Sequence, residues 1–348
     1  MMKQKIGYGV IGAGNIGAFH AGILNELDCS NLIAIYDKNP AAAARLAEEF
    51  HCEAFSDFQA FLTDSRIEAV TIATPSGYHG SVAIPAAKAG KHIFCEKPLD
   101  ITLEKADAII QACEENNVLL SPVFQSRFTR PVQLVKDAMR KGRFGRMVLA
   151  SAQVRWFREA AYYSSSNWRG TWKLDGGGAL MNQSIHAVDM LLYINGAPEE
   201  VFAFAGTLSH SIEVEDNLCA VVKYRNGSFG TIEVSTSCAP GFPRRIEFSG
   251  SEGTVAFEED KITRWEFVKP LPEDDDIIRE LSAGGNAAGG RSPMAIDPTG
   301  HKCQLADFSD AIIHCREPEL TGREGRRAVE LICGIYESAR TGKPFYFK

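Results

Sequence analysis

Between a run that reads as a strand, Ile6 to Ile11, and a pattern that reads as a helix to about Leu27, the chain carries Gly12-Ala13-Gly14-Asn15-Ile16-Gly17. Three glycines at this spacing, in this place, serve the backbone rather than the side chains. The first allows a tight turn out of the strand, the second lets a ligand approach the main chain, and the third lets the helix pack on the strand. A helix that begins there offers unbonded N–H groups and the positive end of its dipole, which suits phosphate. A second strand, Leu32 to Tyr36, ends at Asp37, at the offset where a carboxylate accepts hydrogen bonds from ribose hydroxyls. Gly12, Gly14, Asn15, Ile16, Gly17 and Asp37 are therefore expected to hold a dinucleotide. Asp37 would repel a 2′-phosphate, which favours NAD(H) over NADP(H), although the neighbouring Lys38 works the other way.

Strand and helix patterns keep alternating: a helix from Pro40 to Phe50, a strand near Glu53 to Phe55, and a buried strand from Ala69 to Ala73 that ends in Thr74-Pro75 with His79 close behind. A helix from Val82 to Ala89 leads to a strand ending in Glu96-Lys97-Pro98, then a helix from Leu103 to Asn116 and a strand from Leu119 to Val123. The alternation predicts an α/β domain, a doubly wound parallel sheet over residues 1–122. Ligands gather outside the carboxyl ends of such strands, so Thr74, Pro75, His79, Glu96 and Lys97 are expected at the ligand edge. Pro98 restricts the residue before it, which gives Lys97 a defined exit from its strand. The competing reading is a solvated lysine in a loop.

Beyond residue 122 the pattern changes to extended segments. Residues 123–348 are expected to form an α+β domain with a large, mostly antiparallel sheet, one face of which is available for packing between subunits. Asn226-Gly227 is a two-residue hairpin signal. The Gly- and Ala-rich run Ala283 to Arg291 reads as a mobile loop rather than a phosphate cradle. Two helices close the chain, the second opened by a Thr321-x-x-Glu324 capping box.

The richest stretch in this half is Asp175-Gly176-Gly177-Gly178-Ala179-Leu180-Met181-Asn182-Gln183-Ser184-Ile185-His186-Ala187-Val188-Asp189. The glycines are expected to let the chain pass close to a ligand. Asn182, His186, Asp189 and Tyr193 step by four, three and four, so they share one stripe of an otherwise apolar helix. Such a stripe needs partners, and a ligand supplies them; the alternative is a core histidine satisfied by Asp189. Upstream lie Arg155-Trp156-Phe157-Arg158, Tyr162-Tyr163 and Asn167-Trp168-Arg169-Gly170-Thr171-Trp172. Aromatic faces with forked guanidinium donors suit a sugar that carries carboxylate or phosphate, and Arg155, Tyr163, Trp168 and Arg169 are the candidates. The alternative is a packed loop with its charges in water.

Composition narrows the function. With 348 residues and 45% hydrophobic content the chain can fill two cores. A net charge of −7 leaves no basic field for nucleic acid or anionic lipid. The nine cysteines are odd in number and show no metal-ligand spacing, so no metal site is expected and the thiols read as reduced and packed, in a cytoplasmic protein. Lys3 and Lys5 before an uncharged run imitate a targeting signal, but Gly12, Gly14 and Gly17 interrupt that run.

Taken together, the glycine fingerprint, Thr74-Pro75 with His79, Ala89-Gly90-Lys91-His92 through Glu96-Lys97-Pro98, and Gly176-Gly177-Gly178-Ala179-Leu180 through His186 and Asp189 resemble the glucose-fructose oxidoreductase, inositol dehydrogenase and rhizopine-catabolism (Gfo/Idh/MocA) oxidoreductases over nearly the whole chain. The resemblance implies an N-terminal Rossmann domain for NAD(P), a C-terminal sheet domain for substrate and for a homo-oligomer (dimer or tetramer), and Lys97 with His186 as the catalytic pair. Many members carry Asp one turn before that histidine, where this chain has Asn182. Asn182, Trp168-Arg169-Gly170-Thr171-Trp172 and Met181-Asn182-Gln183 resemble the branch acting at C3 of UDP-linked amino-sugar uronates. The expected reaction is hydride exchange between nicotinamide and a secondary alcohol or ketone of a sugar, sugar acid or nucleotide sugar. Either His186 or Lys97 serves as the base, and Asn182 orients the substrate hydroxyl or His186. The rival readings are a non-catalytic NAD(H)-sensing regulator on the same fold and a reductase of a tetrapyrrole or dihydrodiol.

Overall fold

A computed structural model describes residues 5–282 and 297–348; the run Ala283 to Arg291 lies outside the described residues. In chain order the strands are β1 Ile6–Ile11, β2 Ser30–Tyr36, β3 Glu53–Phe55, β4 Ala69–Ile72, β5 His92–Cys95, β6 Leu120–Pro122, β7 Met147–Arg155, β8 Pro198–Gly206, β9 Asn217–Tyr224, β10 Phe229–Ser235, β11 Arg245–Gly250, β12 Gly253–Glu258, β13 Lys261–Phe267 and β14 Phe345–Tyr346. The helices are α1 Asn15–Glu26, α2 Pro40–Phe50, α3 Phe58–Thr63, α4 His79–Lys88, α5 Leu103–Glu115, α6 Arg130–Arg140, α7 Ala160–Ser164, α8 Ile185–Asn195, α9 Asp274–Ser282, α10 Thr299–Ile313 and α11 Gly322–Thr341. Two compact units result, residues 1–125 with 298–329, and residues 126–297 with 330–348.

The first unit is built on a six-stranded sheet in the order β3-β2-β1-β4-β5-β6. Every pairing in it is parallel. The order reverses at β1/β4, which is where a doubly wound sheet opens a crevice for its ligand. β1 and β4 are buried along their whole length, as strands covered on both faces must be.

The sequence boundary at residue 122 leaves out one part of this unit. The α10 side chains Leu305 and Phe308 are fully buried in the same core as Ile6, Tyr8 and Phe94, each contributing about 1.5–3 kcal/mol. Gln304 acts as a polar rivet: its Nε2 donates to Pro122 O at 2.7 Å, and its Oε1 accepts from Phe124 N at 3.2 Å.

The second unit holds an eight-stranded sheet, order β13-β12-β11-β7-β10-β9-β8-β14. All its pairings are antiparallel except β7/β10. Alternation is clean in β9, where Leu218, Ala220 and Val222 are buried while Cys219 and Val221 are exposed. Asn226-Gly227 sits at a turn, but the loop is longer than the expected two residues, because Tyr224 N donates to Ser228 O at 2.9 Å. Cys95 and Cys113 are buried thiols; Cys219, Cys303 and Cys315 are exposed, unlike the packed thiols expected. No helix of the described residues is long and apolar enough to cross a membrane.

Candidate functional site

In the first unit the site is assembled at the carboxyl ends of β1, β2, β4 and β5. Gly12 has φ +108°, and a Cβ there would lie 2.7 Å from Ala73 O. At Gly17 a Cβ would stand 1.8 Å from Gly12 O, so α1 reaches its packing distance only with glycine. Gly14 is different. Its φ is −82°, it forms the N-cap of α1 without a side-chain cap, and a Cβ would meet nothing within 4 Å. Space over bare backbone at the start of α1, where Asn15 is exposed and Ile16 half-exposed, is a cradle that fits a pyrophosphate. Asp37 ties the loop down: Oδ2 accepts from Ala13 N at 2.8 Å and Oδ1 from Asn39 N at 2.8 Å. Each carboxylate oxygen keeps a lone pair for a ribose hydroxyl. Lys38 Nζ lies 5.4 Å from the centroid of the Tyr78 ring.

After β4, Thr74 Oγ1 is buried without a hydrogen-bond partner among the described residues, which suits a polar group of the cofactor; Pro75 follows it. His79 departs from its expected role. Its Nδ1 contacts Pro98 O at 2.8 Å and its Nε2 contacts Thr74 O at 3.0 Å, so the ring staples two strand-end loops together and has no nitrogen left for a cofactor.

From Ile93 to Asp100 every residue is buried except Lys97, which is half-buried, and the Lys97–Pro98 peptide is cis. Glu96 turns inward instead of lining the cofactor site. Its Oε1 bonds His20 Nε2 at 3.1 Å, and its Oε2 accepts the Lys97 N–H at 3.1 Å. Burial opposes ionisation of Glu96, but the His20 hydrogen bond and the charges of His20, Lys97 and His301 outweigh it and bring the pKa down to about 2. His20, Glu96 and His301 bring ligand atoms within 4.8 Å of one another, a grouping that sequence spacing could not reveal. Through the His20–Glu96 bond and the Glu96 bond to Lys97 N, the cluster anchors the Lys97 main chain.

In the second unit the Gly-rich stretch forms a five-residue π-type turn, Ala179–Gln183, before α8. Protein neighbours, not a ligand, explain two of its glycines: a Cβ at Gly177 would lie 2.1 Å from Tyr336 Oη, and one at Gly178 2.0 Å from Glu215 O. Buried Glu215 holds the turn by accepting from Gly178 N at 3.0 Å, Leu180 N at 2.8 Å and Tyr336 Oη at 2.9 Å. From Asp175 to Asn195 everything is buried except Asn182, Gln183, His186 and Tyr193. The stripe divides in two. Asp189 receives the Arg127 fork at 2.8 and 2.6 Å, and the Tyr193 ring lies under Arg127 and Lys136, which makes that end structural. Asn182 donates to Asp175 and accepts from Gln183 Nε2 at 2.6 Å, which fixes the orientation of its amide.

Two expected substrate residues move away. Arg155 is exposed on the outer face of the sheet and bonds Glu233 across the strands at 3.0 Å, because Val154 takes the inward position on β7. Tyr163 is buried, donates to Thr236 Oγ1 at 2.8 Å and packs at a tilt against the His210 ring, and burial raises its pKa to about 12. Tyr162 takes its place, with its hydroxyl 2.8 Å from Gln183 Nε2. Arg169 stacks on the Tyr162 and Trp168 rings at 4.5 and 5.3 Å.

Residues 6–124 match the "Oxidoreductase family, NAD-binding Rossmann fold" and residues 132–256 the "GFO/IDH/MocA C-terminal domain". The myo-inositol 2-dehydrogenase of Thermotoga maritima is 31% identical over 256 residues, 71% of this chain and 73% of that protein. The chain belongs to the Gfo/Idh/MocA family. Among solved members of this family, the WlbA dehydrogenase of Bordetella pertussis, in complex with NADH and UDP-GlcNAcA, superposes with a TM-score of 0.89 at 34% identity, covering 99% of both chains. A levoglucosan dehydrogenase in complex with NADH and levoglucosan gives 0.86 at 25% identity, covering 99% of this chain and 100% of that one. The protein is therefore an NAD-binding oxidoreductase acting on CH–OH groups. The regulator, tetrapyrrole and dihydrodiol readings give way to it.

Proposed function

We propose that the protein oxidises a secondary alcohol of a nucleotide-linked acidic sugar, or reduces the corresponding ketone, with NAD(H) preferred over NADP(H). The observation that carries this reading is the set of partly exposed polar residues, Asn182, Gln183 and His186, in an otherwise buried segment, with the aromatic and arginine loop against it. Support also comes from the likeness to a dehydrogenase complexed with NADH and UDP-GlcNAcA.

Bound NAD(H) supplies a hydride acceptor or donor at nicotinamide C4. Gly12 to Gly17 with Thr74 and Pro75 hold the cofactor, and Asp37 binds the ribose and disfavours a 2′-phosphate. Lys97, as ammonium, polarises the substrate oxygen. In oxidation the carbinol C–H pair leaves as hydride, the O–H proton passes to His186, and the C=O bond forms; reduction runs each step backwards. Asn182 has no proton to exchange, so it orients the hydroxyl. Trp168 lines the sugar, and Arg169 meets an anionic group of the nucleotide-linked substrate.

The reading extends to a homo-oligomer, dimer or tetramer, through the outer sheet face. Phe229 sits beside Leu149 there, and Phe204 and Val221 are more than half exposed. A net charge of −7 supports no nucleic-acid or membrane partner, and buried thiols such as Cys95 suit the cytoplasm. Initial rates of NADH or NADPH formation over a panel of UDP-sugar uronates, free uronates, inositols and neutral hexoses test the reading. The expected result is a UDP-linked uronate favoured at least tenfold in kcat/KM, with NAD+. Equal turnover of neutral inositols overturns it.

A further inference from the structure

Among the described residues, Arg127, Arg158 and Arg244 are the arginines more than nine-tenths buried. Two of them are neutralised: Arg127 by Asp189, and Arg244 by Asp260 at 2.7 Å. Arg158 forms no ion pair among the described residues. Its Nε donates to Gln183 Oε1 at 3.0 Å and its Nη1 to Phe157 O at 3.2 Å. A guanidinium has five N–H donors in a planar fork, and these two bonds leave the Nη2 end unused.

Stacking compensates only in part. The guanidinium carbon lies 4.9 Å from the Trp156 ring centroid and 5.7 Å from that of Tyr162. Cation–π contacts of this kind contribute about 0.5–2 kcal/mol, less than the several kcal/mol of desolvating an ion. The carboxylate whose charge acts on Arg158 is Glu259, which accepts from Arg244 N at 2.9 Å. Burial lowers the Arg158 pKa.

The main chain that carries the guanidinium is nevertheless held firmly. Arg158 N donates to Thr236 O at 2.8 Å, and Arg158 O lies 2.9 Å from His210 Nε2, whose Nδ1 is 3.0 Å from buried Asp216. Gln183 passes this order on: because Oε1 faces Arg158, Nε2 donates to Tyr162 Oη and to Asn182 Oδ1. A preorganised and unneutralised fork on a largely buried side chain thus stands two side-chain hydrogen bonds from Asn182, in the turn that leads into the helix of His186. Such a fork is complementary to a planar anion brought by the substrate.

We propose that Arg158, oriented by Gln183 and the Trp156 and Tyr162 faces, is the specificity-determining residue that binds the sugar carboxylate of an acidic sugar substrate. The inference rests on the acidic-sugar reading above. Its distance in bonds from Asn182 favours an anion on the reacting ring over the diphosphate of a nucleotide, and Arg169, on the Tyr162 ring as well, is left for the latter.

The test compares a UDP-sugar uronate with its uronamide, which keeps the nucleotide and the shape but loses the charge, on the unmodified enzyme and on Arg158→Gln and Arg158→Lys. Loss of a charge-assisted bidentate contact corresponds to roughly 10- to 100-fold. The acid-over-amide ratio of kcat/KM is expected to fall by that factor in Arg158→Gln, mainly through KM. Arg158→Lys, which keeps charge and stem and guards against a folding defect, is expected to lose about tenfold of the same ratio. An unmodified enzyme that prefers the acid, with variants that keep the preference, overturns the role of Arg158 alone. A KM rise equal for acid and amide assigns the fork to the diphosphate and also overturns it. An unmodified enzyme indifferent to the charge removes the acidic-sugar reading and this inference together.

Discussion

Replacing Glu96 with Gln separates the electrostatic work of this carboxylate from its shape. Glutamine is close in size to the protonated acid and keeps a donor and an acceptor for His20 and the Lys97 N–H. What it removes is the charge. The folded pKa of about 2 lies below the ordinary value of 4.5, so the charged form is stabilised by about 3 kcal/mol relative to the neutral one, at 1.36 kcal/mol per unit. Because the folded pKa is depressed, that stability is fully present well above pH 4.5 and is lost as pH falls through the folded value. Urea unfolding followed by circular dichroism should place Glu96→Gln about 3 kcal/mol below the unmodified protein at pH 7, with the gap narrowing to about 2 kcal/mol near pH 3.5. A gap that is constant over this range, or that widens on acidification, would refute the argument that an ionised Glu96 anchors the strand end carrying Lys97.

Two further perturbations probe the glycine loop and α8. Gly14→Ala should leave the urea midpoint nearly unchanged but weaken NADH binding by about tenfold or more in calorimetry, since its Cβ points into open space over the loop; Gly17→Ala, with its Cβ 1.8 Å from Gly12 O, should instead destabilise the fold by about 1–3 kcal/mol. Asp189→Asn strands the buried Arg127 charge and should cost about 3–5 kcal/mol in urea unfolding, with much of it recovered in Arg127→Met/Asp189→Leu.

What the sequence disclosed is what local backbone chemistry controls. The Gly12 to Gly17 turn, Asp37 at the end of β2 and the exit of Lys97 from β5 each follow from a few consecutive residues, and the structure puts them where those residues imply. The return of α10 to the first unit did not show, because Leu305 and Phe308 join a core nearly 300 residues back in the chain. The loop side chains were harder to assign: of the run Arg155 to Arg158, Arg155 is the candidate ligand that the sequence suggests, and Arg158 is not singled out. Period-two parity held the missing signal, since an inward Val154 sends Arg155 outward to Glu233. Nothing local could reveal that Asp189 belongs to Arg127 or that Gln183 links Arg158 to Asn182, since both depend on side chains brought together only by folding.

Whether Lys97 and His186 carry out the chemistry, as proposed, is decided by the pH dependence of alcohol oxidation with Lys97→Met and His186→Asn. Each variant should bind NADH with undiminished affinity and lose roughly two orders of magnitude or more in kcat, about 3 kcal/mol of barrier. In the unmodified enzyme kcat/KM should rise with pH through an apparent pKa in the histidine range, and that limb should be absent from His186→Asn. A limb that survives in His186→Asn and disappears in Lys97→Met would move the base to Lys97. Unchanged turnover in both variants would contradict the account altogether.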